Sequence, residues 1–507
     1  MNEIGRVARV PGSEPELSQR VVGNTLVQFV PSALRLVLGI SLAAVLSRYL
    51  GVEGLGEYAL LFTYVAIFNI VFNDWGLGTI LVRELSQRPD ERRALLASAT
   101  ALQLLVSCAS YGLLLATLAV LHYSQGFKSA VMLYGLTLLL GPAQVLALPF
   151  QADLRLVRLL APSALQVVLN FTLSIAVVLL GGPLFALAGA SLVAVAVQCV
   201  WSGYLGWREA GLALAAFTSA MWRRWWPLVR ESWPIGVAST FKMAWQQGPV
   251  LVLGAFSLSA TGLFNAANRV PQQIVLVPLA LNTTTFPLLA RWWVSDRVRF
   301  ARQLDRLVGG SLFVAIPAVI FGIAVAGPFV RLLFGPEFAG ASVPFAMLLA
   351  AAGLLFPIVF VAEALNAAGY QRLNLVITAA LSPLLTALLF VLVPRGGASG
   401  AASALLVCYA GYIAALLGAA RWRLGPAAPV RALASAGVAA ALGGAALMIS
   451  SPVGPVGAGT VGALVATAAF ALAWPPLVNE YIPVLAARRC RAVVTSSPAP
   501  GVAGPRE

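Results

Sequence analysis

The stretch VQFVPSALRLVLGISLAAVL, Val27–Leu46, decides how this chain is read. It is apolar for about twenty residues, long enough to cross a hydrocarbon core of roughly 30 Å. Yet Arg35 stands in its middle. A soluble core rarely buries an unpaired guanidinium, and a lipid-facing helix tolerates one even less. The reading therefore turns on what Arg35 faces.

The rest of the chain supplies the class. Of 507 residues, 60% are hydrophobic and only 10% are charged, against about 25% charged in ordinary soluble domains. Apolar runs of similar length recur at 24–46, 57–82, 94–121, 130–152, 159–181, 183–206, 234–256, 260–289, 307–330, 340–366, 373–393, 398–420, 432–450 and 456–482. The expected fold is all-α and integral to the membrane, with about 14 transmembrane helices. The first run is no signal peptide: it is too long for an h-region, lacks an A-x-A-like site and leads into further spans.

The net charge of +15 raises the question of nucleic acid, and the position of the charges answers it. Alternating the loops puts 26 of the 33 basic residues on one side and four on the other, namely Arg48, Lys128, Arg331 and Arg395. That skew is the positive-inside pattern, with both termini cytoplasmic in a multi-pass membrane protein. The surplus charge is topological, and no nucleic acid is expected as a partner.

Three basic residues remain, Arg35, Lys242 and Arg269, each deep inside an expected span. At about 1.5 Å per residue each lies roughly 12–16 Å from the nearer span end. A charge at that depth costs roughly 2.5–3.5 kcal/mol even on the lenient insertion scale. Their neighbours are polar at helical spacing: Asn24, Gln28, Ser32 and Arg35 in span 1; Asn69, Asn73 and Asp74 in span 2. Span 7 has Ser239, Lys242 and Gln246, and span 8 has Asn265, Asn268, Arg269 and Gln272. Such stripes on spans 1, 2, 7 and 8 would enclose a hydrated cationic cleft if two six-helix halves faced one another. Asp74 is the one deep carboxylate, either a salt-bridge partner for Arg35 or a coupling group. One acid cannot neutralise three cations, so the surplus suits an anionic ligand the size of a pyrophosphate. The isolated Gln103, Gln144, Gln166, Asn170 and Gln198 read as hydrogen-bonding glue between helices.

Internal repetition supports the two halves. RYLGVEGLGEYALLFTYV (Arg48–Val65) and AFSLSATGLFNAANRV (Ala255–Val270) align with Gly56 against Gly262 and Tyr58 against Phe264, each read as a tight turn leading into a helix. The offset of six spans makes this a parallel pseudo-repeat. The expected layout is a disordered cytoplasmic tail at 1–20, an N-lobe at 21–206 and a cytoplasmic interfacial linker at 207–233. A C-lobe follows at 234–420, then two C-terminal helices at 421–486, rich in Gly and Ala for close packing, and a disordered tail at 487–507.

Parts for catalysis are missing. His122 is the single histidine, Cys108, Cys199 and Cys408 sit singly within spans, and Cys490 lies in the tail. There is no phosphate-binding G-x-x-x-x-G-K-[ST]. No enzyme, metal or cofactor is expected.

With SRYLGVEGLGEYALL, NDWGLGTILVRE (Asn73–Glu84), RLLFGPEFAGAS, ALNAAGYQRLNL and VPRGGASGAASALLV on the page, the chain over roughly residues 20–420 resembles the polysaccharide-transporter (Wzx-like) flippases. These belong to the multidrug/oligosaccharidyl-lipid/polysaccharide (MOP) superfamily. Span 11 departs from that family, reading TAALSPLLTALLFVLVP where asparagines are usual. The resemblance implies translocation of a polyprenyl-pyrophosphate-linked oligosaccharide from the inner to the outer leaflet by alternating access, for cell-surface polysaccharide. It gives Arg35, Lys242 and Arg269 the headgroup by position, and it implies membrane lipids, a polysaccharide polymerase and other assembly proteins as partners. The rival within the superfamily is a cation-coupled multidrug exporter, which would want acidic residues where this chain has basic ones.

Overall fold

The structure, a computed structural model, describes residues 14–121, 123–153, 155–210, 225–425 and 429–474. Both expected tails, His122, Cys490 and residues 211–224 of the expected linker lie outside the described residues. So do the side chains of residues 14–33, Gln28 among them.

Helix follows helix, with no strand among the described residues. The first, α1 (Glu14–Phe68), runs for 55 residues. As a straight rod rising about 1.5 Å per residue it would exceed twice the hydrocarbon thickness of roughly 30 Å. It is interrupted at Gly51, with φ 68° and ψ −171°, a backbone state open to glycine and strained for other residues. The break therefore falls at Gly51, inside the expected bridge between spans 1 and 2. A π-helical turn, Asn69–Asp74, ends the second arm, and α2 (Leu77–Gln87), α3 (Arg92–Val120), α4 (Gln125–Gly135) and α5 (Gly141–Ala152) follow. Next come α6 (Leu160–Leu179), α7 (Leu184–Ala210), α8 (Trp225–Phe256), α9 (Leu258–Ile274), α10 (Leu276–Ser295), α11 (Arg297–Ala324) and α12 (Ala326–Phe334). The chain continues with α13 (Ser342–Ala367), α14 (Gln371–Leu424), α15 (Val430–Ile449) and α16 (Pro455–Ala473). α14 repeats the device of α1, with 54 residues interrupted at Gly397, φ 52°.

Among the described residues, ten segments are long and apolar enough to cross a membrane, and two of them, 34–87 and 371–424, contain the breaks at Gly51 and Gly397. The chain is a multi-pass membrane protein. α8 and α9, which carry Lys242 and Arg269, fall outside the ten: polar residues interrupt α8, and α9, at 17 residues, is short.

Two compact units result. The first runs to Arg269 and takes in Leu333–Phe338 and Leu385–Ala401; the second holds the remainder. All three intramembrane cations thus belong to the first unit. Its core includes Leu60, Leu61, Leu114, Leu118 and Leu138, with a second cluster of Leu81, Leu96, Leu146 and Leu228. In the second unit Phe300, Phe360, Leu416, Phe470 and Trp474 are the centre of the core. Trp474 Nε1 donates to Asp305 Oδ2 at 3.1 Å, and the ring lies against Gly309. α15 and α16 pack on α11 through Gly443, Gly459 and Gly462, where a Cβ would meet Ile320, Ala324 or the facing backbone. Small residues permit that approach where helices have only packing to hold them together.

The aligned glycines of the repeat touch. A Cβ on Gly56 would overlap the carbonyl oxygen of Leu258, and one on Gly262 would overlap that of Val52. Each clash is with the carbonyl four residues before the partner glycine, so the contact is reciprocal, a local two-fold within the first unit. The matched aromatics Tyr58 and Phe264 are both buried.

Candidate functional site

α6 contributes two carboxamides to an otherwise largely apolar helix, Gln166 and Asn170. Four residues apart, they share one helix face. Both line two cavities. The first, of about 200 Å³, has Arg35, Leu38, Gly39 and Leu42 from the first arm of α1 opposite Gln166, Val167, Asn170 and Phe171. The second, of about 210 Å³, adds Tyr58, Ala59 and Phe62 from the second arm of α1, Tyr134 of α4, Ser191 and Val195 of α7, and Arg269 of α9. The carboxamide pair is thus common to an Arg35 cavity and an Arg269 cavity.

The electrostatics are one-sided. No carboxylate lines either cavity. Arg269 Nε donates to Asn265 Oδ1 at 3.2 Å, one turn back on its own helix. That bond orients the guanidinium and leaves the donors of its terminal nitrogens for a ligand. The expected Arg35–Asp74 salt bridge is absent among the described residues. The backbone conformation explains this. The chain leaves the π-helical turn through Trp75 at φ 39° and Gly76 at φ 77°, both left-handed. Past that bend the Asp74 carboxylate accepts the N–H of Gly78 instead. Gly76 is needed there for a second reason: a Cβ would press into Ile235 of α8.

The other expected site residues divide. Asn73 is no cavity residue. It is buried, its Nδ2 donating to Asn69 Oδ1 at 3.0 Å and to the Leu138 carbonyl at 3.3 Å. Its Oδ1 accepts from Gln103 Nε2 and Ser107 Oγ, both at 2.8 Å. Gln103 is therefore glue, as expected. Lys242 and Gln246 are exposed on one face of α8 and line neither cavity, while the adjacent Gln247 accepts from Thr63 Oγ1 at 3.1 Å. Asn268 is half-buried and Gln272 is exposed.

Sequence reasoning passed over Gln166 and Asn170, reading them as glue. Among the described residues neither makes a hydrogen bond to the protein, and both face the cavities. Their spacing of four was the available signal, the same stripe that marked span 1. Tyr58 and Tyr134 join them through Phe62, with ring centroids 4.6 Å and 4.5 Å apart along Tyr58–Phe62–Tyr134.

An all-helical multi-pass fold with cationic cavities inside its membrane segments defines a transporter-like membrane protein, and comparison gives the class. The chain aligns over 91% of its length with all of a structure of the lipid II flippase MurJ in an inward closed conformation, at TM-score 0.72 and 12% identity. It aligns over 80% with 98% of an inward-facing multidrug resistance MATE family transporter of the MOP superfamily, at TM-score 0.61 and 15% identity. A MOP superfamily transporter from Pyrococcus furiosus, described as having a binding pocket of reverse polarity, aligns over 80% of this chain and 96% of its own, at TM-score 0.56 and 15% identity. The fold is that of the MOP transporters. The family model described as polysaccharide biosynthesis protein matches residues 45–343, and the chain belongs to that family. No curated protein matches it.

Proposed function

We propose that this protein moves a polyprenyl-pyrophosphate-linked oligosaccharide from the inner to the outer leaflet of a prokaryotic plasma membrane, with both termini cytoplasmic, for cell-surface polysaccharide. The observation that carries the reading is the pair of arginines, Arg35 and Arg269, around shared carboxamides with no acid in either cavity. Two guanidiniums offer planar forked donors matched to a diphosphate, and in low dielectric an unpaired cation gains most from an anionic ligand. Lys242, exposed on the same unit, is a first contact for the headgroup on its way to the pair. The isoprenoid tail needs no protein cavity, because the bilayer itself solvates it. Transport then consists of exposing the Arg35–Arg269 site alternately to the two membrane faces. The family membership supports a saccharide cargo, and the MurJ-like fold supports a lipid-linked one. A cavity that attracts cationic drugs would need the opposite charge.

The test is to delete the gene in its host and profile lipid-linked saccharides by mass spectrometry. The expected result is accumulation of one completed polyprenyl-pyrophosphate oligosaccharide, shielded from outside reagents. Normal lipid profiles together with new sensitivity to cationic drugs would assign the chain to the exporter branch.

A further inference from the structure

Arginines answer for the diphosphate but leave Gln166 and Asn170 unexplained. A carboxamide in a membrane span without a hydrogen-bond partner is expensive, and here two, neither bonded to any described residue, stand one turn apart on α6 and line both cavities. Phosphate oxygens only accept, so they can use the NH2 of each carboxamide but are repelled by its oxygen. A ligand that satisfies both ends must donate as well as accept, as vicinal hydroxyls do. The wall of the second cavity is the other half of the match. Tyr58, Phe62 and Tyr134 form a run of tilted and edge-on rings, which presents apolar faces and hydroxyl tips together. Volume sets the size of the group. At about 210 Å³ the cavity is smaller than the roughly 300–1,000 Å³ of pockets for drug-sized ligands. That is room for about one sugar ring beside the arginine.

We infer that Gln166 and Asn170, against the Tyr58–Phe62–Tyr134 wall, form a subsite for the first sugar ring of the lipid-linked glycan, the ring attached directly to the diphosphate. This rests on the flippase reading and deepens it: the diphosphate engages Arg35 and Arg269, and the carboxamides read the hydroxyls of the adjoining sugar. Selectivity then resides in the lipid-proximal sugar, and the length and composition of the remaining glycan matter little.

The experiment measures binding of four probes to the purified full-length protein in nanodiscs: bare undecaprenyl diphosphate, and its glucosyl, galactosyl and N-acetylglucosaminyl forms. The wild type should bind at least one of the glycosylated probes about tenfold more tightly than the bare one, the order given by two net hydrogen bonds. In the double variant Gln166→Leu/Asn170→Leu that ratio should fall towards one, with the glycosylated affinity dropping far more than the bare. Thermal unfolding of the same sample reports folding; these side chains have no partner among the described residues to lose, so the melting temperature should hold or rise. No sugar-dependent preference in the wild type, or a ratio that survives both leucines, would overturn the subsite. An Arg35→Ala/Arg269→Ala control separates the two claims: if it leaves binding of bare undecaprenyl diphosphate untouched, the flippase reading of the cations fails first.

Discussion

Two polar clusters lie within the membrane segments of the first unit, and they differ in one respect. Around Asn73 the side-chain amide is satisfied at both ends: Asn69 and the Leu138 carbonyl accept from its Nδ2, and Gln103 and Ser107 donate to its Oδ1. Gln166 and Asn170 have no hydrogen bond to the described residues, and arginines stand at the cavity walls instead of acids. The first cluster holds the π-helical turn of Asn69–Asp74 to α3. The second is built to be completed by something from outside. Residue type alone did not separate them, since both are Asn and Gln in apolar helices. Satisfaction of the donors and acceptors did.

That contrast can be broken by mutation. The largest effect should come from the cations: Arg35→Ala with Arg269→Ala should lower transport of a diphosphate-linked glycolipid by at least about 100-fold, as expected when two charge-assisted contacts of about 1.5–3 kcal/mol each are lost. Rates in proteoliposomes measure it, with unchanged expression and melting as the control. Next is the structural cluster. Asn73→Leu leaves Ser107 Oγ without its acceptor and Gln103 Nε2 with only the backbone carbonyl of residue 73, and should destabilise by about 1–3 kcal/mol, read as a lower melting temperature. Gln166→Leu should leave the melting temperature unchanged or raised, and equal losses at both sites would erase the distinction. A comparable penalty, also about 1–3 kcal/mol, is expected for Gly56→Leu or Gly262→Leu, because the added atoms meet backbone that cannot yield. The smallest effect belongs to the surface. Arg83 pairs with Glu84 and Glu231, and Arg83 and Glu231 are both well exposed. Glu231→Ala should therefore change stability by no more than about 1 kcal/mol.

Much of this was legible in the sequence, for definite reasons. Span length and apolarity follow from bilayer thickness, so the membrane class could be read directly. The faint repeat was readable because close backbone approach demands glycine, and the aligned pair Gly56 and Gly262 turned out to be a reciprocal contact. The break falls inside the expected bridge between spans 1 and 2, but GVEGLG offers three glycines, and only the dihedral at Gly51 tells which one reverses the chain. The Arg35–Asp74 pairing was not readable. Helical spacing puts both residues at similar depth, but two consecutive left-handed residues after Asp74 change where the backbone goes, and a tryptophan at positive φ has no sequence signature. Gln166 and Asn170 were missed because single amides within spans are most often satisfied by neighbouring helices, and the i, i+4 spacing that distinguished them was weighed only where a charge accompanied it.

The central claim is that the Arg35–Arg269 cavities receive the diphosphate headgroup of a lipid-linked sugar. The most direct measurement is leaflet exchange of undecaprenyl-diphosphate-linked monosaccharide in liposomes containing the purified protein, read by accessibility to an external pyrophosphatase. The account predicts rapid exchange with the wild-type protein, and exchange at the rate of empty liposomes when Arg35 and Arg269 are both alanine. Equal exchange by the wild type and the double variant would contradict it.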